Sequence, residues 1–255
     1  MHTDRPSAVL RAETDLLTVW RALAPVLQRI TLAVLMAIAG MWLFVYLAHE
    51  VDEGSTKRFD SLIIVFFQAH QWEPLHAFLR GVSTLAGPDL QTGFALAGVL
   101  GFILARRFWP DGLTLLIAGT GGALLMIGLK TLFHRPRPTE LFTEHLGYSF
   151  PSGHSFFAVV LYGLVAYWLS RDAPPRRKRW IWGIALTAML LVGFSRIYLG
   201  EHFPSDVAAG YAIAAPWLWG CLALPAALHH SGRDLTLKER SRLNQQEQAA
   251  ETSNP

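Results

Sequence analysis

Residues 150–169 read FPSGHSFFAVVLYGLVAYWL. From Phe156 to Leu169 no residue carries a charge. A helix that is apolar all round belongs in a large core or in lipid. With its serine ends the run covers Ser155–Ser170, close to the roughly 20 residues that about 30 Å of hydrocarbon requires. At its mouth stands a polar turn, Pro151-Ser152-Gly153-His154. A histidine at the start of a spanning helix is held at a fixed depth, so its place calls for a chemical reason.

Five further apolar runs flank this one: Ile30–Ala48, Leu90–Ala105, Leu113–Leu129, Trp180–Ser195 and Val207–Leu228. The 255-residue chain is 52% apolar and only 16% charged, which sets it apart from an ordinary soluble domain. Some runs are short for a span, and flanking Trp, Tyr, Arg and Lys make up the difference at headgroup level. The runs lack the alternation of barrel strands, and lipid admits only helices or closed barrels. The expected fold is therefore all-α: a polytopic membrane protein with a six-transmembrane-helix bundle over residues 30–228. The first run, preceded by almost thirty residues, is expected to be an uncleaved anchor and not a signal peptide. No linker or internal repeat divides the chain. The single cysteine, Cys221, lies in an apolar run, so no disulfide within the chain and no cysteine-based metal site is expected.

The net charge of +3 does not imply nucleic acid, because the basic residues gather in short clusters between apolar runs. Arg5, Arg11, Arg21 and Arg29 precede the first run, Arg106 and Arg107 follow the second, and Arg171, Arg176, Arg177, Lys178 and Arg179 follow the fourth. Arg233, Lys238, Arg240 and Arg242 follow the sixth, and together these alternate segments hold 15 of the 22 basic residues. The positive-inside bias then makes residues 1–29 a cytoplasmic arm and 229–255 a cytoplasmic polar tail. Between the first two runs, FDSLIIVFFQAH and PLHAFLRGVSTL are too short to span and are expected to be interfacial helices on the outer side.

In a chain that alternates sides, three polar segments share the outer, periplasmic-type face: KTLFHRPRP (130–138), PSGH (151–154) and SRIYLGEHFPSD (195–206). Lys130, Arg137 and Arg196 are cations suited to phosphate oxygens, and Arg135 is a possible accessory. Ser152, Gly153 and His154 open a helix whose first N–H groups form an anion seat, where Gly153 permits close approach. His202 and Asp206 are four residues apart beside Pro204, which suits a helix start. A carboxylate on one imidazole nitrogen fixes the tautomer and frees the other lone pair to attack, while His154 is placed to protonate a leaving oxygen.

In this order the segments resemble the three-part signature of the type-two phosphatidic-acid phosphatase superfamily. Lys130…Arg137-Pro138, Pro151–His154 and Ser195-Arg196…His202…Asp206 fill every signature position. The resemblance covers about residues 60–228, with a catalytic core at about 113–228. It implies a lipid phosphatase in which His202 forms a phosphohistidine, Asp206 orients it, and His154 serves as acid and then as base. It also implies that Lys130, Arg137, Ser152, Gly153 and Arg196 bind phosphate, with no metal and no cofactor. The implied partners are the bilayer and a lipid phosphate of undecaprenyl diphosphate, phosphatidylglycerophosphate or phosphatidate type, in a bacterial inner membrane.

Other residues have plainer readings. His134 and Glu201 are expected at the rim, and Glu144, His145 and Tyr148 in a connecting loop. His49, His70 and His76 are expected at the interface, and Gly119, Gly121 and Gly122 at a close helix contact. A phosphotransferase using the same covalent step is the nearest rival. Vanadium haloperoxidases share the segments but are soluble. A transporter is disfavoured, because its charges would sit at the midplane of inverted repeats.

Overall fold

The computed structural model describes residues 28, 31, 32, 34–85, 87, 93, 96, 100, 109–138 and 147–223. The second apolar run, the arm before residue 28, the tail after 223 and the loop 139–146 with Glu144 and His145 lie outside or almost outside them. The described residues form helices joined by short non-helical stretches, with no strand among them. Helix α1 is Val34–Asp52. The short helices α2 (Lys57–Ala69) and α3 (Glu73–Thr84) follow. Next come α4 (Trp109–Leu116), a π turn Ile117–Gly121, and α5 (Gly122–Phe133), which together form one continuous apolar rod. Helices α6 (Gly153–Ser170) and α7 (Pro175–Tyr198) make an antiparallel hairpin, and α8 covers residues 204–223.

Four of these helices are long and apolar enough to cross a membrane: Val34–Asp52, Asp111–Phe133, Gly153–Ser170 and Pro175–Tyr198. Leu124, Leu132, Trp180 and Ile184 are more than two-thirds exposed. An apolar surface this extensive is costly in water and neutral in hydrocarbon. Where lipid surrounds the bundle, packing depends on close contact more than on apolar burial. Phe150, Phe156, Phe157, Leu164 and Ile213 form the tight centre, with Phe44 of α1 against it. Gly122 brings α5 to that centre, since a Cβ there would lie 2.9 Å from the Phe156 ring.

The helix ends differ from the apolar runs in a consistent direction. The run Leu113–Leu129 continues to Phe133, which places Lys130 in the last turn. The run beginning at Ser155 starts at Gly153, which places His154 in the first turn. The run Trp180–Ser195 extends to Tyr198 and carries Arg196. Hydropathy ends where polarity begins, whereas backbone hydrogen bonds continue to the next cap or proline.

The helices α2 and α3 form where amphipathic segments were expected, and both pack against α7. Their connection is fastened there as well. The Trp72 N–H donates to the Tyr198 hydroxyl at 2.9 Å, and Gln71 Nε2 donates to the Tyr198 carbonyl at 3.4 Å.

Candidate active site

Each site segment is shaped by its own sequence. Helix α5 ends on His134 in the left-handed conformation, φ 46° and ψ 29°, with its N–H on the Lys130 carbonyl at 3.1 Å. Arg135 and Arg137 each precede a proline, which disfavours helical backbone and keeps the chain extended beyond the helix. Ser152 caps α6, accepting from the Ser155 N–H at 3.4 Å and the Ser155 hydroxyl at 3.0 Å. Asp206 occupies the third position of α8, and its Oδ2 accepts from the Phe203 N–H at 2.8 Å. With Pro204 in first position this is a capping arrangement, so the carboxylate is fixed by the helix start itself.

Close backbone contact joins the last two segments. The Ser152 N–H donates to the Asp206 carbonyl at 3.0 Å. One turn along α8, a Cβ on Gly210 would lie 2.6 Å from the Ser152 carbonyl oxygen. Only glycine lets the histidine-bearing turn rest directly on α8.

The result is one cavity of about 300 Å³ lined by Lys130, Arg137, Gly153, His154 and His202 together with Ala123, Met126, Ile127 and Phe157. Groups from all three sequence segments therefore meet in one place, next to apolar helix surface. His202 is 1% exposed and Asp206 fully buried, with Nδ1 and Oδ2 3.5 Å apart. The Ser149 hydroxyl donates to Asp206 Oδ2 and lies 3.4 Å from His202 Nδ1, so it bridges the pair. Burial pushes the His202 imidazole down from 6.5 to about 3, against the pull of Asp206 and with help from Arg196 and Lys130. It is a neutral base near pH 7.

The cations are already engaged. Lys130 Nζ donates to the Tyr148 carbonyl at 2.5 Å, and Arg137 Nε donates to the Gly147 carbonyl at 3.1 Å. Glu201 Oε2 accepts from Arg137 Nη1 at 3.1 Å and from Arg196 Nη2 at 3.0 Å. Arg196 also donates to the Ser83 hydroxyl of α3, while its Nε is buried without a hydrogen-bond partner. That orphan donor is costly unless a ligand takes it up.

Two sequence expectations shift in emphasis. The Ser152 side chain is fully buried in its capping role and is not among the cavity-lining groups. Arg135 also stands outside this cavity, with Nη1 2.5 Å from Asp206 Oδ1 and Nη2 2.7 Å from Asp60 Oδ2. Ser149, Asp60, Ser83 and Ser205 gave no usable sign in the sequence. Serines are common at helix starts, and an acid in a first turn reads as a match to the helix dipole. Glu201, expected at an exposed rim, is partly buried and bridges two arginines. His49 and His70 are exposed, His76 is partly buried, and none of them lines the cavity. Gly121 and Gly122 do sit at close helix contacts. Among the described residues no cluster of three or more His, Cys, Asp or Glu is arranged to hold a metal ion.

A buried imidazole, a second histidine and a cationic wall around one cavity suit an anionic group, and comparison with known proteins gives the chain a family. The profile of the PAP2 superfamily matches residues 111–229. Phosphatidylglycerophosphatase B of Bacillus subtilis strain 168 is 33% identical over 173 residues, 67% of this chain and 85% of that protein. An undecaprenyl-diphosphatase of Sulfolobus acidocaldarius is 33% identical over 88 residues, 34% of this chain and 35% of that protein. The crystal structure of a transmembrane PAP2-type phosphatidylglycerolphosphate phosphatase from Bacillus subtilis matches with a TM-score of 0.65 at 28% identity. That match covers 73% of this chain and 94% of the other. The chain belongs to the PAP2 superfamily and is a phosphoric ester hydrolase of membrane-protein character.

Proposed function

We propose that the enzyme removes phosphate from a membrane lipid through a phosphohistidine at His202, without a metal ion. The observation that carries this reading is the cavity itself, in which His202, His154, Lys130 and Arg137 adjoin Met126, Ile127 and Phe157 of apolar helices. A phosphorylated headgroup fits the polar side, and its tail can remain against the apolar side.

The His202 Nε2 lone pair attacks phosphorus. The bond from phosphorus to the lipid oxygen breaks, its electron pair leaves with that oxygen, and His154 supplies the proton. Asp206 holds Nδ1 and stabilises the charge that develops on the ring. Water then attacks phosphorus and gives its proton to His154. The N–P bond breaks with its pair returning to His202, and phosphate departs. Lys130, Arg137, Arg196 and the Gly153 N–H support the phosphoryl oxygens, supplying the charge neutralisation that a metal gives elsewhere. Ser152 shapes that seat by capping α6, and Arg135 supports Asp206.

The proposed topology has six spans over residues 30–228, both termini cytoplasmic, α2 and α3 at the interface, and the site facing outward from a bacterial inner membrane. The charge distribution supports it. The names of the two relatives make phosphatidylglycerophosphate and undecaprenyl diphosphate the first substrates to compare, with phosphatidate third.

The test is release of inorganic phosphate from these lipids by purified protein, with and without a chelator. Release with no acceptor present marks hydrolysis. Dependence on an added lipid or sugar acceptor would turn the reading to phosphotransfer. Loss of activity with chelator, restored by a divalent ion, would end the metal-free mechanism.

A further inference from the structure

Asp60 of α2 lies outside all three site segments and is fully buried. Its Oδ2 accepts from Arg135 Nη2 at 2.7 Å and from the Ser205 hydroxyl at 2.5 Å, and its Oδ1 accepts from the Ser205 N–H at 3.1 Å. Arg135 Nη1 donates to Asp206 Oδ1 at 2.5 Å and to the Ser205 hydroxyl at 2.7 Å. The guanidinium carbon lies 4.3 Å from the centre of the Phe203 ring. One arginine thus joins two buried acids, one of them beside His202.

A guanidinium held by a single carboxylate can pivot about that contact. Held by acids at both terminal nitrogens, with an aromatic ring on its face, it has one orientation. Buried charges also leave little tolerance for loss of a partner. We propose that Asp60 is a positioning residue for the reaction: it clamps Arg135, and Arg135 aims the Asp206 carboxylate at His202. Helix α2 is then part of the catalytic apparatus. Helix α3 is tied to the phosphate side in a parallel way, through Ser83 and Arg196. This inference rests on the assignment of His202 and Asp206 made above.

The experiment is steady-state kinetics of purified full-length Asp60→Asn on a lipid phosphate, alone and combined with Asp206→Asn. The expected result is a fall in kcat of about 10- to 100-fold, the scale on which outer partners of catalytic groups act. KM should stay within about twofold, and in the Asp206→Asn background the further loss should also be under about twofold. Unchanged kcat, or losses that multiply in the double variant, overturns the proposal. Should Asp60→Asn fail to fold, Arg135→Lys carries the same test, because lysine keeps the charge but cannot hold both acids. An active His202→Ala variant would remove the underlying assignment. An inactive His202→Ala beside a fully active Asp60→Asn would remove only the role of Asp60.

Discussion

Arg137 and Arg196 are tied to each other through one oxygen, Glu201 Oε2, at 3.1 Å and 3.0 Å. In the proposed mechanism an incoming phosphoryl group needs the same donors. Charge-assisted hydrogen bonds contribute about 1.5–3 kcal/mol each, so an internal carboxylate is a real competitor. Glu201→Gln is therefore expected to lower KM and the inhibition constant of inorganic phosphate by about 10-fold or more, the change that roughly 1.4 kcal/mol produces. Inhibition by added phosphate measures it. A higher KM in that variant would show that Glu201 organises the arginines and does not compete.

His202→Ala removes the proposed nucleophile, and loss of kcat by at least about 10⁴ is expected, the scale seen when a member of a catalytic triad is removed. The fold should persist, as judged by the melting temperature. His154→Ala is expected to depend on the leaving group, with a large loss for a lipid alcohol and a small loss in the first step for an ester of an acidic phenol. Equal losses with both would contradict a proton-donor role.

The buried His202 ties stability to pH. Its folded value of about 3 lies below the unfolded 6.5, so the unfolded chain takes up the proton first as pH falls. The stabilisation is whole above about pH 6.5 and is lost progressively as pH drops towards 3. His202→Gln should flatten the fall in melting temperature between about pH 7 and pH 4 relative to the parent. Parallel curves for the two proteins would rule out His202 as a source of the acid sensitivity.

Gly210 tests the contact between α8 and the turn that carries His154. The alanine Cβ would lie 2.6 Å from the Ser152 carbonyl oxygen, and backbone cannot rotate away as a side-chain tip can. Gly210→Ala is expected to destabilise by about 1–3 kcal/mol and to reduce kcat by shifting His154. Gly183→Ala is the control, since nothing lies within 4 Å of its Cβ and a solvent- or lipid-facing helix gains from the exchange. Thermal melts and phosphate release on both variants decide it.

The sequence by itself determined that the chain is a helical membrane protein, and it named Lys130, Arg137, Gly153, His154 and His202 of the groups that line the cavity. Apolar runs demand helices where backbone must be satisfied internally, and charged residues confined to their ends mark chemistry at the mouth. The pairing of His202 with Asp206 was also legible, because the two stand four residues apart across the start of α8, beside Pro204. Only the tertiary structure decided what stands behind these groups. Asp60 reaches Asp206 through Arg135, and Ser149 enters the same pair from a loop. Glu201 joins two arginines that lie on different segments. Such contacts have no period and no fixed spacing, since they arise where helix ends from distant parts of the chain converge. Ser152 shows the same division. The resemblance placed it among phosphate-binding residues, and the fold buries its side chain as the cap of α6 while Gly153 and His154 line the cavity.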